Sequence, residues 1–276
     1  MPEIESFATS RGWEIATSSE VQHLCHLLFF KASRCSFGRV MEQADKERVV
    51  QKMFSSIARY YDLNNTLLSF GVHHRWKRDL VALAGLRSGD VVLDVGAGTA
   101  DLAILAAEGV GQTGMVIASD LNEPMLRIGK EKLVRVSAAP TGCILANAES
   151  LPFKDHSVDV VLTGFCMRNV THLDKALSEI FRVLKPTGCF ACLEFSTPEY
   201  KFLRKLYDFY SYQFLPFIGT YVSKDKTGVY QYLTDSIRLF PNQKAFADRI
   251  EKAGFKEVTY SNRTGGIIAI HIGKKG

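Results

Sequence analysis

The segment Gly96-Ala97-Gly98-Thr99-Ala100-Asp101 follows a short apolar run, residues 91–95, and precedes a helical stretch over residues 102–108. Gly96 and Gly98 lack a Cβ, so the chain can turn tightly there and let a ligand approach its backbone. Asp120 ends the next apolar run, residues 115–120, roughly twenty residues on, where a carboxylate can take both hydroxyls of a ribose. Together they describe a site for an adenosine-bearing cofactor. The dinucleotide fingerprint asks for a third small residue where Asp101 stands, and a carboxylate there repels a pyrophosphate. Asp94, just before the loop, adds a second acidic group. Two carboxylates suit a cationic sulfonium and an ammonium. The charge logic therefore favours S-adenosylmethionine over NAD.

Other residues could do chemistry near such a loop. Asn147-Ala148-Glu149 follows the third apolar run and can meet an adenine, or simply cap or turn the chain. Arg168 and Asn169 follow the fourth run, where the alternative is an ordinary surface or capping arginine. Tyr61 lies in the N-terminal part of the chain as a relay or as core aromatic packing. His73, His74, His172 and His271 are candidate bases, and no one of them stands out. Cys25, Cys35, Cys143, Cys166, Cys189 and Cys192 show no disulfide framework. The lone pair Cys189/Cys192 falls in a strand, where positions three apart face opposite sides. Both are expected to be core thiols, and no metal site is expected.

These residues need elements to hold them. The periodicity predicts a helix from Asp45 through Val49, Met53 and Ile57, and a turn-rich stretch over residues 63–71. An amphipathic helix through Trp76, Leu80 and Leu83 follows, stopping at Gly85. Strands are expected at 91–95, 115–120, 143–146, 158–162 and 189–195. Helices are expected at 102–108, 124–136 and 173–184, the last ended by Pro186 and Gly188. Asn242 is placed to cap a helix over 243–252 that Gly254 closes, before two last strands at 255–260 and 267–271. This alternation implies an α/β, Rossmann-like, seven-stranded, mostly parallel sheet with helices on both faces. An N-terminal helical cap precedes it, and an aromatic helical insertion at about 198–240 precedes the last two strands.

Residues 1–45 lack motif and clear periodicity and form a variable extension, with Met41 as an alternative start. Residues 46–276 form the main domain. The net charge of +5 over 276 residues is too small and too dispersed to argue for nucleic acid. No run approaches the length of a spanning helix, and the acidic N-terminus does not resemble a secretory signal. A cytoplasmic protein is the expectation.

The chain resembles the demethylmenaquinone and ubiquinone-biosynthesis C-methyltransferases from about residue 48 to residue 273. Phe54-Ser55-Ser56-Ile57-Ala58-Arg59-Tyr60-Tyr61-Asp62-Leu63-Asn64-Asn65 is similar to the family's opening motif. Arg168-Asn169-Val170-Thr171 is similar to its central one, and Tyr232-Leu233-Thr234-Asp235-Ser236-Ile237 falls in its insertion. The resemblance implies that Thr99, Asp120 and the Asn147-Ala148 pair contact S-adenosylmethionine. It also implies a prenylated quinol substrate methylated on a ring carbon, demethylmenaquinol in preference to a 2-polyprenyl-6-methoxy-1,4-benzoquinol. Such a substrate implies peripheral membrane contact through the insertion; a homodimer is left open.

Three positions depart from the family pattern. Ala100 stands for a frequent glycine, Gly164 for a serine, and Cys166 for a glycine, where it would narrow the pocket beside Arg168. Since arginine does not readily lose its proton, Arg168 is assigned to stabilising a developing phenolate, with Asn169 orienting the hydroxyl and Tyr61 relaying a proton. A methyltransferase on another small apolar molecule, an NAD-dependent oxidoreductase and a non-catalytic lipid-binding component are the competing readings.

Overall fold

A computed structural model describes residues 43–137, 139–209 and 229–276. The chain separates into Met1–Glu42 and Gln43–Gly276, and the fold is that of the second unit. Most of the expected extension, and residues 210–228 of the expected insertion, lie outside the described residues, as do Cys25 and Cys35.

The cap comprises α1 (Gln43–Ile57), a 3-10 turn (Ala58–Tyr60), α2 (Tyr61–Ser69) and α3 (His73–Ala84). The expected turn-rich stretch at 63–71 is instead mostly helix. Its turn-forming side chains are absorbed by the helix itself: Thr66 Oγ1 donates to the Asp62 carbonyl at 2.8 Å and Ser69 Oγ to that of Asn65 at 2.6 Å. The turn comes only at Phe70 and Gly71, with φ of 50° and 75°, whose N–H groups close on the carbonyls of Leu67 and Thr66. Gly85 ends α3 in the left-handed conformation.

The core then alternates: β1 (Val91–Val95), α4 (Asp101–Val110), β2 (Met115–Asp120), α5 (Glu123–Val136), β3 (Thr141–Leu145), β4 (Val158–Gly164), α6 (Leu173–Val183) and β5 (Leu184–Phe195). The insertion supplies α7 (Lys201–Phe209) and α8 (Val229–Leu239), and α9 (Gln243–Lys252), β6 (Lys256–Arg263) and β7 (Ile268–Lys274) complete the unit. The seven strands form one sheet in the order β3-β2-β1-β4-β5-β7-β6. Pairings among β1 to β5 are parallel, and β7 pairs antiparallel with β5 and β6.

Each strand feeds two cores because side chains alternate across a sheet. Cys189, Ala191 and Leu193 pack with Leu80, Ala103 and Leu133 of α3, α4 and α5 on one face. Phe190 and Cys192 pack with Ile180 of α6 and Phe246 of α9 on the other. The two cysteines thus face opposite sides as free thiols. β5 begins earlier than expected and runs through Pro186, because the β4–β5 ladder shifts register between Val158 and Val160, and a bulge can hold a proline that a regular ladder cannot. Asn242 caps α9 by accepting from the Ala245 N–H.

β2 and β4 flank β1 on opposite sides, so the direction of winding reverses there. In open α/β sheets ligands bind at the carboxyl ends of strands at such a switch point. The glycine loop, Asp120, Asn147, Arg168 and Glu194 all follow or end strands at that edge.

Candidate active site

Two connected hollows occupy the edge. The smaller, about 120 Å³, lies over the glycine loop and is lined by Gly96, Gly98, Asp120, Asn147, Ala148 and Asn169, with Glu47, Gln51 and Phe54 of α1 across it. The larger, about 610 Å³, lies beneath the cap and is lined mainly by apolar side chains, among them Met53, Ile57, Leu68, Phe70, Trp76, Phe195, Tyr207 and Ile237. Arg168, Tyr232 and His73 are also in its wall. Phe54, Tyr61 and Phe165 line both, so they stand where the hollows meet.

The cleft suits an adenosine cofactor. Asp120 accepts from the Gly98 N–H through one oxygen and the Asn122 N–H through the other, each at 2.7 Å. A carboxylate offers about four lone-pair sites, so acceptors remain for two ribose hydroxyls. Burial raises its pKa against the lowering effect of those N–H groups. Gly96 is required sterically: a Cβ there would lie 2.2 Å from Cys166 Sγ. Asn147 Oδ1 accepts from the Glu149 N–H at 2.8 Å, and its amide reaches Glu47 of α1 at 3.3 Å. Asn122 of the α5 cap likewise holds Gln51 and Ser55. α1 therefore spans the cleft and is fastened along both sides.

Four side chains sit otherwise than the sequence suggested. Thr99 does not line the cleft; its hydroxyl donates to Asp62 of α2 at 2.6 Å. Asp101 also turns away. It pairs with Lys77 at 2.7 Å and with Lys132, which holds Asp62 at 2.9 Å as well. The lysines hold the Asp101 carboxyl at about 2 in spite of its burial. Asp94 is fully buried beneath α4, accepting from the Ala103 N–H at 3.0 Å, and burial pushes it up to about 7. The acidic residues that line the cleft are Asp120, Glu47 and Glu149, the last with its carboxylate engaged by Thr171 and His172, so the charge argument built on Asp94 and Asp101 named the cofactor from the wrong pair. Cys166 lies on the cofactor side, against Gly96, rather than in the larger cavity.

Arg168 and Asn169 are brought together on one carbonyl, that of Phe165, at 2.7 Å from Arg168 Nη1 and 3.1 Å from Asn169 Nδ2. Phe165 exposes that carbonyl by adopting a φ of 58°. Arg168 Nη1 also pairs with Glu194 at 2.7 Å, and the guanidinium lies 5.2 Å from the centre of the Phe195 ring. Burial is the strongest single influence and works against the charge, but Glu194, Tyr61 and Tyr232 together outweigh it and the Arg168 pKa is raised. Arg168 is therefore a fixed cation, not a base. Among the histidines, His271 bonds the Gln243 carbonyl inside the fold and His172 pairs with Glu149. Among the described histidines only His73 lines the cavity, bonded to Ser69 at 2.8 Å, and burial lowers it to about 4. His73, His74 and Asp101 cluster closely enough to hold a metal ion, but the Asp101 oxygens are already taken by two lysines.

Glu194, Asp62 and Tyr232 were not singled out in the sequence. Glu194 carried a signal, as one acid in the otherwise apolar run 189–195. Asp62 and Tyr232 carried none beyond their motifs, since their partners lie 37 and 63 residues away.

The fold and cleft define a class I S-adenosylmethionine-dependent methyltransferase. Solved structures share the architecture. A SAM-dependent methyltransferase from Aquifex aeolicus aligns with a TM-score of 0.54 at 20% identity, covering 72% of this chain and 89% of that one. One from Thermotoga maritima aligns at 0.55 and 19%, covering 81% and 100%. At such identities the likeness concerns the fold alone. Sequence relatives go further. The model of the ubiE/COQ5 methyltransferase family matches residues 41–275. The ubiquinone/menaquinone biosynthesis C-methyltransferase UbiE of Pseudoalteromonas translucida is 44% identical over 238 residues, 86% of this chain and 94% of its own. The protein of the same name from Yersinia pestis is 47% identical over the same shares. The chain belongs to the ubiE/COQ5 family of S-adenosylmethionine-dependent C-methyltransferases.

Proposed function

We propose that this enzyme methylates a ring carbon of a prenylated quinol, demethylmenaquinol in menaquinone biosynthesis, with the 2-polyprenyl-6-methoxy-1,4-benzoquinol of ubiquinone biosynthesis as the second reading. The observation that carries the proposal is the apolar cavity of about 610 Å³ that joins the cofactor cleft beside Arg168. Its size lies within the range of small-molecule sites, about 300–1,000 Å³. Its apolar walls suit a bicyclic ring and the start of a prenyl tail.

S-adenosylmethionine supplies an electrophilic methyl group on a sulfonium. Asp120 and the glycine loop would hold its ribose, and Asn147 and Ala148 its adenine. Thr99 continues the loop beyond Gly98, with its hydroxyl held by Asp62 of the cap. Much of the rate comes from aligning ring carbon, methyl and sulfur, across the place where Phe54, Tyr61 and Phe165 line both hollows. The ring carbon becomes nucleophilic as a neighbouring hydroxyl gives up its proton. Arg168, a cation set in apolar walls, stabilises the phenolate that develops. Asn169 orients the hydroxyl, and Tyr61 is placed to relay its proton.

No helix among the described residues is long and apolar enough to cross a membrane. Phe70 and Phe209 line the cavity and are also exposed, with Phe202, Arg204 and Lys205 exposed nearby in sequence on α7. An apolar rim with cations fits a cytoplasmic enzyme that takes its lipid from the inner face of a membrane. The test is transfer of labelled methyl to short-chain demethylmenaquinol and to the benzoquinol, both kept reduced. Preference for the former is expected. Transfer to neither, with S-adenosylmethionine bound, overturns the quinol reading.

A further inference from the structure

We propose that Tyr232, carried by the insertion helix α8, is a catalytic residue whose phenol oxygen accepts a hydrogen bond from the quinol hydroxyl beside the attacked carbon and so orients it before its proton leaves through Tyr61. The inference rests on the quinol reading above and names a contact within that site.

The hydrogen-bond directions can be worked out. The Phe165 carbonyl can only accept, so the Asn169 atom 3.1 Å from it is the amide nitrogen. The other end of that amide is then an oxygen, which has no hydrogen to give. It lies 3.1 Å from the Tyr232 hydroxyl, so Tyr232 is the donor. A phenol has one hydrogen, and here it is committed to Asn169. What Tyr232 can still offer is a lone pair. Burial pushes its pKa up to about 12, with the Arg168 charge working the other way, so it holds its proton at ordinary pH and serves as a fixed acceptor.

Its position makes that lone pair useful. Tyr232 lines the apolar cavity, while Asn169, to which it is bonded, lines the cofactor cleft. The bond therefore links the wall of the cavity to the wall of the cleft. Among the other polar groups of the cavity wall, Asn64 Nδ2 and His73 Nε2 have no partner among the described residues, while two hydroxyls are already engaged. Thr264 accepts the Trp76 indole N–H at 3.0 Å, and Ser69 is shared between His73 and the Asn65 carbonyl. A quinol hydroxyl next to the reacting carbon would meet Arg168, Tyr61 and Tyr232. The resulting line runs from substrate O–H to Tyr232, to Asn169, to the Phe165 carbonyl. It ties ring orientation to the same carbonyl that holds Arg168. The insertion thus contributes to the chemistry as well as to the tail.

The test uses the full chain, labelled S-adenosylmethionine and reduced short-chain demethylmenaquinol or benzoquinol, whichever the wild type methylates. Tyr232→Phe keeps the ring and removes the oxygen. It is expected to lower kcat/KM for the quinol by about 10- to 100-fold, the worth of one buried hydrogen bond. The dissociation constant for S-adenosylmethionine and the melting temperature should stay close to wild type. If Tyr232 worked only by holding Asn169, adding Tyr232→Phe to Asn169→Ala would cost nothing further. A contact with substrate predicts a further loss of about tenfold. A single variant within twofold of wild type, or no added loss in the double variant, overturns the proposal. A wild type that methylates neither quinol overturns the reading beneath it and this proposal with it.

Discussion

Arg168→Ala removes two things at once, and the structure separates them. The first is the cation at the cavity wall. The second is the partner of Glu194, whose residue is only 1% exposed and whose Oε1 lies 2.7 Å from Arg168 Nη1. Breaking a buried pair from one side leaves an uncompensated charge, at a cost of about 3–5 kcal/mol. For a unit of this size each kcal/mol moves the melting temperature by about 2–4 °C. Arg168→Ala should therefore melt about 6–20 °C early, as well as losing methyl transfer. The double variant Arg168→Met with Glu194→Gln removes both charges and nearly conserves volume. One buried amide then lacks a partner, at about 1–3 kcal/mol, so most of the stability should return. Activity should not, because the donor for the developing phenolate is still gone, a loss of about 10²- to 10³-fold. Thermal unfolding and single-turnover methyl transfer on the three proteins decide the matter. A single variant as stable as wild type would refute the energetic role of the pair. A double variant that regains methyl transfer would refute the chemical role of Arg168.

Other substitutions test the remaining parts of the site. Gly96→Ala places a Cβ at a φ of 71° and 2.2 Å from Cys166 Sγ; it should cost about 2 kcal/mol or more and weaken cofactor binding. Adding Cys166→Gly should recover the steric part but not the backbone part, as read by unfolding and by S-adenosylmethionine titration. Asp62→Asn loosens α2 from Lys132 while keeping an acceptor for Thr99. The pair is partly exposed, so stability should fall by no more than about 1 kcal/mol, while methyl transfer drops with the displacement of neighbouring Tyr61. Asp94 and His271 give opposite pH dependences. The folded pKa of Asp94 is raised to about 7, so stability is lost as pH climbs from about 4 to 7, by about 4 kcal/mol. That of His271 is lowered to about 4 by burial, so its contribution is present above about 6.5 and lost as pH falls toward 4. Denaturant midpoints across pH 4–8 should lose the fall between about 4 and 7 in Asp94→Asn and the rise between about 4 and 6.5 in His271→Gln.

The sequence by itself determined the elements and the class of chemistry. Apolar runs bounded by glycine and proline marked β1, β2 and β4, because a strand buried on both faces must be apolar throughout. Asn242 capped a helix where a capping residue was due. Gly96, Gly98, Asp120, Asn147 and Ala148 were legible as expectations because each ends or follows an expected strand, and a parallel sheet brings the ends of its strands to one edge. Side-chain direction was decided only by the tertiary structure. Thr99 and Asp101 sit in the same loop as Gly98, yet face the cap, because Asp62, Lys77 and Lys132 draw them there from 24 to 37 positions away in the chain. The pairing of Arg168 with Glu194, and of Asn169 with Tyr232, joins residues 26 and 63 positions apart. No local pattern encodes such pairs, since what brings them together is the adjacency of β4 and β5 and the docking of the insertion over their ends.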